Sequence, residues 1–252
     1  MKPVHLASHA LVASVGMLAA DASTSKHVVL VHGIWDTSRT MRKMAHEMRA
    51  AGLKPHIVTL TPNDGRASLE VLASEMNRQI LRAVPHTASF SIVGFSMGGL
   101  VARSYLLQFG DPHRVSAFVC IASPNRGTWT AWLDGSPGIR EMRPGSKFLA
   151  KLDKDAARFS RTRWVTIRTP LDLMVVPANT AALPWAHNIS LPVLAHPLLV
   201  SDPRVIAAAI ESVGGDLSRM SAAERRALRR AERLQRQIED TPPHRKASPA
   251  KQ

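Results

Sequence analysis

Cysteine is nearly absent: one residue, Cys120, stands among 252. No internal disulfide can form, which excludes a disulfide-stapled scaffold, and Cys120 lies inside the apolar run 117–122, the place of a small core hydrophobe. No cluster of Cys and His with metal-ligand spacing is present, so a chemistry that needs neither metal nor cofactor is expected. Aromatics make up 5%, with one tyrosine, and no apolar run is long enough to span a bilayer. Acidic residues are also scarce, 19 against 33 Lys and Arg, for a formal charge of +14. From Leu217 onward there are ten Lys/Arg and four Asp/Glu, a net of +6, which leaves +8 on the body. Such a balance favours anionic surfaces and says nothing about chemistry.

What is present begins with the stretch 90–106, FSIVGFSMGGLVARSYL. A short apolar run over 88–93 gives way to Gly94, then Ser96, then a helical pattern carrying Leu100, Val101, Ser104 and Leu107. This reads as strand, tight turn, helix, with a serine at the bend. Gly94-Phe95-Ser96-Met97-Gly98 is G-x-S-x-G, in which the flanking glycines let backbone pass close to a strained nucleophile. The bend places Ser96 at a helix N-terminus, where free N–H groups favour a developing negative charge.

Around it, apolar runs alternate with amphipathic ones. Strands are expected at 28–31, 56–60, 88–93, 115–122, 164–168 and 188–194. Helices are expected from a cap at Thr37 or Ser38 to Ala51, over 68–84, from Ser96 to Gly110, and from Asp202-Pro203 to Val213. Alternation of this kind implies an α/β fold, a mostly parallel sheet with helices on both faces, whose ligands gather at the carboxyl ends of the strands. His32, Ser96, Asp172 and His196 each fall just past such an end.

A serine hydroxyl needs an adjacent base, and the base needs a carboxylate to fix its tautomer. Ser96, Asp172 and His196 occur in the order Ser, acid, His. Asp134, Asp153 and Asp155 sit in a polar irregular segment, and Asp202 reads as a helix cap. His113 belongs to a surface turn, and His187 precedes the last strand at its wrong end. Oxyanion donors are expected at the backbone of Met97 and of Ile34, the latter brought close by His32-Gly33. His32 reads as a brace of that turn rather than a proton carrier, with an ordinary turn histidine as the competing reading.

The pieces VLVHGIW, IVGFSMGGLVARSYL, IASPNRGT, REMRPGSKFLAKL, PLDLMVVPANTAAL and LAHPLLVSDPRV resemble the α/β-hydrolase superfamily, and within it compact bacterial lipases and esterases. The resemblance implies an α/β-hydrolase fold and carboxylic-ester hydrolysis through an acyl-enzyme. It assigns Ser96 as nucleophile, His196 as base, Asp172 as its partner, and Ile34 and Met97 as oxyanion donors, with Gly33, Gly94 and Gly98 shaping the turns. Acyltransferase, thioesterase and amidase use the same constellation, and a non-catalytic envelope- or nucleic-acid-binding protein acting through its basic tail is the further alternative. Position 95 is Phe where many such lipases carry His. The catalytic domain is expected over 26–215, with a small cap at 127–163.

That cap segment carries Trp129, Trp132, Leu133 and Phe148, which with Trp35 are candidates for acyl contact or a lid. The competing reading is a loop that packs its own tryptophans against the body. Residues 1–25 have the form of an export signal, with Ala20-Asp21-Ala22 as a cleavage site. An unprocessed start, or a start at Met17, is the alternative, and with it a cytoplasmic enzyme. The tail 216–252 opens with a capping box, Ser221 and Glu224, and places Ala227, Leu228, Ala231, Leu234 and Ile238 at helical spacing. It becomes Pro-, Lys- and Arg-rich after Thr241, a disordered composition. Expected partners are a small-molecule or lipid acyl ester and, through the tail, an anionic membrane surface. The competing reading of the tail is a solvated extension, and no specific nucleic acid is expected.

Overall fold

The computed structural model describes residues 26–153 and 156–239. The proposed signal segment 1–25, Asp155 and the stretch after Thr241 lie outside the described residues, as do the side chains of Leu234 and Ile238. Six strands form one fully parallel sheet: β1 (His27–Val31), β2 (Lys54–Val58), β3 (Phe90–Phe95), β4 (Val115–Ile121), β5 (Arg163–Arg168) and β6 (His187–Ser190), in the order β2-β1-β3-β4-β5-β6. The helices are α1 (Arg42–Ala50), α2 (Leu69–Ala83), α3 (Met97–Phe109), α4 (Pro137–Glu141), α5 (Lys147–Asp153), α6 (Pro203–Ser212) and α7 (Ala222–Glu239).

The central strands are largely apolar because both their faces are covered. Along β1 the side chains alternate. Val28 and Leu30 join the core under α1 and α6, while Val29 and Val31 join the core under α2, α3 and α5. The edges are more polar. β2 carries Lys54 and Pro55, and Pro55 is tolerated because an edge strand needs no full set of ladder donors. The direction in which successive strands are added reverses at β1: β2 lies on one side of it and β3 on the other. That leaves a crevice at the carboxyl ends of β1 and β3, where such sheets bind ligands.

Helix starts follow local chemistry. Ser68 caps α2 by accepting from Val71 N–H, and Asp202 caps α6 by accepting from Arg204 N–H. Ser221 and Glu224 exchange their capping-box bonds at the start of α7. Thr37 caps a short 3₁₀ turn, Ser38–Met41, that leads into α1. Three strands differ from the sequence expectation by two residues or more. β2 starts and ends two residues earlier and β3 two residues later, because pairing with β1 sets both registers. β6 stops at Ser190 rather than Leu194, since its pairing with β5 ends at Arg168–Ser190.

Cys120 is buried and burial pushes its thiol up to about 11, so it stays a neutral core group. Glu47, on α1, is a second buried titratable group. Burial, reinforced by the neighbouring Glu224 carboxyl, pushes it up to about 7. Of the four large residues assigned to the cap, Phe148 is buried against the α3 side of the core. It is a core residue, not an acyl contact, because α5 packs against α3.

Gly98 and Gly135 give a stability test. A Cβ on Gly98 would lie 2.3 Å from the His32 carbonyl oxygen and 2.6 Å from that of Val31, whereas one on Gly135 would meet nothing within 4 Å. Gly98→Ala is expected to cost about 1–3 kcal/mol in urea unfolding and Gly135→Ala close to nothing. Equal effects would mean the elbow is not tightly packed.

Candidate active site

Ser96 sits between β3 and α3 with φ 53° and ψ −127°, a conformation rare for a residue with a side chain. Its N–H donates to the Ile121 carbonyl at 2.8 Å, which extends the β3–β4 ladder through the bend. The helix then turns sharply back over the strand. A Cβ on Gly94 would stand 2.5 Å from Gly99 Cα, and one on Gly99 would stand 1.9 Å from Ser123 Oγ. Gly99 and Ser123 are therefore part of the elbow, although the motif alone does not single them out. Ser96, Trp35 and Ala122 are the non-glycine residues with positive φ among those described, and all three follow strand ends at this edge of the sheet.

The turn after β1 comes up beside the serine. A Cβ on Gly33 would lie 3.1 Å from Ser96 Cβ. His32 is fully buried and holds this turn at two points. Its Nε2 accepts from Leu60 N–H at 3.0 Å, so Nδ1 carries the proton and donates to the Gly33 carbonyl at 2.9 Å. The imidazole thus spans the loops after β1 and β2 as a neutral brace. Trp35 N–H donates to the Asn63 carbonyl at 2.7 Å and adds a second tie between those loops. Met97 is the first residue of α3, and Ile34 packs part-buried against the core. Among the described residues, neither backbone N–H has a hydrogen-bond partner.

Asp172 and His196 follow β5 and β6. Their side chains meet at 2.8 Å, Oδ2 to Nδ1, and both residues are 6% exposed. Asp172 Oδ1 accepts from the N–H groups of Met174 and Val175 at 2.9 and 2.8 Å. A carboxylate already accepting on one oxygen takes the Nδ1 proton on the other, which leaves His196 Nε2 as the basic nitrogen. The His196 ring lies 4.9 Å from that of Phe95, next to Ser96 in the chain. Ser96 Oγ and His196 Nε2 are not hydrogen-bonded to each other, as is common before substrate binds.

A residue not singled out from sequence joins the loops that carry Asp172 and His196. Buried Thr169 donates through Oγ1 to the Val193 carbonyl at 2.7 Å and accepts from Val193 N–H at 3.1 Å. The signal lay in its position one turn before Asp172, but only the fold brings Val193 across. The rival residues have other employment. Asp134 accepts from Ser136 N–H, Asp153 pairs with buried Arg103 at 2.7 Å, and Asp202 caps α6. His113 sits in a turn with Asp111, and His187 opens β6 at the amino end of the sheet.

Several large apolar side chains on the same side of the sheet are exposed. Trp35, Trp129 and Trp132 are each about 60% exposed, and Leu133, Leu173 and Leu194 more than 80%. All are carried by segments leaving the carboxyl ends of strands. The Trp129–Trp132 turn is fixed to the Asp172 loop: Trp129 N–H donates to the Val176 carbonyl at 2.8 Å, and Thr128 and Thr130 hydroxyls donate to that of Met174. Arg143 stands 4.4 Å over the Trp132 ring. These tryptophans are held by their backbone and present their rings to solvent.

Comparison with solved structures agrees with this architecture. Lipase BlEst2 of Bacillus licheniformis, in mature form, superposes with a TM-score of 0.60 at 15% identity, over 77% of this chain and 94% of that one. Lipase B of Aspergillus fumigatus gives 0.63 at 16%, over 83% and 58%. These likenesses show that the chain has an α/β-hydrolase fold. A family model described as palmitoyl protein thioesterase matches residues 27–132, which include the elbow and the His32 turn but neither Asp172 nor His196. Human lysosomal thioesterase PPT2 is 31% identical over 120 residues, 45% of this chain and 39% of that protein. Palmitoyl-protein thioesterase 3 of Dictyostelium discoideum is 26% identical over 109 residues, 40% and 37%. The matches thus span about two fifths of these curated relatives' length.

Burial holds the His32 imidazole below its ordinary value of 6.5, against smaller raising effects from the Gly33 carbonyl and Asp36. The unfolded chain therefore takes up a proton at 6.5 that the folded one refuses until lower pH, so stability falls as pH drops below 6.5. Urea unfolding at stepped pH is expected to show His32→Gln losing less stability between pH 6.5 and 5 than the wild type. The difference is at most about 1.4 kcal/mol per pH unit. Part-buried His27 and His56 act with the same sign in both proteins, and parallel curves would remove His32 from this role.

Proposed function

We propose that the protein is a serine hydrolase of acyl esters, with Ser96 as nucleophile, His196 as general base and Asp172 as its orienting carboxylate. The observation that carries this reading is the buried Asp172–His196 pair beside the strained Ser96 elbow. His196 Nε2 takes the Ser96 proton as Oγ attacks the acyl carbonyl. The resulting oxyanion is received by the N–H groups of Ile34 and Met97. The leaving group departs with the proton from His196, and water enters by the same steps in reverse to free the acid.

The exposed tryptophans and leucines at the carboxyl ends of the strands suit an acyl chain. A second reading, favoured by the thioesterase matches over 27–132, is a thiol rather than an alcohol as leaving group. It needs no change in the machinery, since both bonds yield the same acyl-enzyme. Beside this, the exposed Arg226, Arg229, Arg230 and Arg233 of α7 would draw the enzyme to an anionic lipid surface.

A fluorophosphonate probe should label the wild type and leave Ser96→Ala unlabelled, while kcat falls by about 10⁶ in Ser96→Ala and His196→Ala. Undiminished labelling of Ser96→Ala would sink the assignment. Oxygen esters and thioesters of one acyl chain, supplied in a chain-length series, separate the two leaving groups by kcat/KM. For α7, sedimentation with phosphatidylserine vesicles should succeed at low salt and be lost at high salt. Unchanged sedimentation after removal of residues 221–252 would refute the role of the helix.

A further inference from the structure

Glu47 is a carboxylate that neither the proposed chemistry nor the packing employs. It lies on α1, is 8% exposed, and its Oε2 is shielded from solvent without a hydrogen-bond donor. Lys43, one turn earlier, is committed elsewhere: its Nζ donates to the Ser201 carbonyl at 2.6 Å. Facing Glu47 are His46 and, from the far end of the chain, Glu224. The His46 Nε2 lies 3.7 Å from Glu224 Oε1, and one ligand atom from each of the three residues falls within 4.8 Å of the others. The second oxygen of Glu224 accepts from Ser221 N–H and so fixes that carboxylate in place.

Two carboxylates converging on a shielded spot repel one another, and burying them without a counter-charge is costly. We propose that His46, Glu47 and Glu224 bind a divalent transition-metal ion of the zinc type, which fastens α7 to α1. One neutral imidazole and two carboxylates balance a charge of +2. That mixed nitrogen and oxygen set suits zinc and its neighbours rather than calcium or magnesium, which favour oxygen alone. Tetrahedral ligands about 2.1 Å from an ion stand roughly 3.4 Å apart, so the side chains need close by little more than 1 Å. His46 is largely exposed and free to swing in. The site is separate from the Ser96 elbow, being built on α1 and α7 rather than on loops at the strand ends.

The test uses the full chain stripped with a chelator and titrated with Zn²⁺ by calorimetry and thermal unfolding. One equivalent should bind saturably, with Tm rising by roughly 5 °C or more at a hundredfold excess over Kd. Glu47→Gln and His46→Ala should weaken binding by on the order of 100-fold and lose the shift. Glu47→Gln removes a buried charge, so its metal-free Tm should match or exceed that of the wild type, which separates lost binding from lost folding. Trypsin cleavage at the α7 arginines should slow with Zn²⁺ in the wild type only. Equal Zn²⁺ responses in wild type and Glu47→Gln would overturn the site as binding by other histidines. A wild type unmoved by Zn²⁺, with Glu47→Gln more stable, would overturn it as a pair of carboxyls sharing a proton.

Discussion

Backbone closeness at one point governs this molecule. The loop after β1 and the helix after β3 approach until the Gly98 Cα has the carbonyls of Val31 and His32 beside it, with no room for a side chain. That approach forces Ser96 into a positive φ and brings Gly33 alongside it. It also sets the start of α3 against the turn that carries Ile34. Every feature of the proposed nucleophile site follows from this packing, and strain of the kind seen at Ser96 persists only where its surroundings over-determine it.

The proposed partners of Ser96, Asp172 and His196, come from a different half of the sheet and are held by a different device. Asp172 has one oxygen occupied by two backbone N–H groups and the other by His196, so neither side chain is left to choose a rotamer. Thr169 ties the two loops to each other from below. The turn bearing Trp129 and Trp132 is bonded to the same Asp172 loop. The backbone of this turn is thereby fixed while the Trp129 and Trp132 rings stay exposed.

His32 and Glu47 illustrate two fates of a buried titratable group. His32 has a donor for one nitrogen and an acceptor for the other, and its neutral form is fully satisfied. Glu47 has a neighbouring carboxyl and no donor at Oε2. The first arrangement stabilises a loop outright, and the second calls for a cation or a proton.

Much of the architecture was legible in the chain itself, because its determinants are local. Apolar runs marked six strands, Ser68, Asp202 and Ser221 announced their helices, and G-x-S-x-G placed a serine at a strand-to-helix bend. Where local signals met competition from distant ones, the boundaries moved: β2 and β3 shifted by two residues to pair with β1, and Phe148 went to the core rather than to a cap. Tertiary structure alone decided the contacts between residues remote in sequence. Among them are Gly99 against Ser123, Thr169 across to Val193, and Glu47 facing Glu224. Periodicity and capping report what a residue does to its own few neighbours. Which loop it meets across a sheet is fixed by strand order and twist, and those emerge only when all six strands pack together.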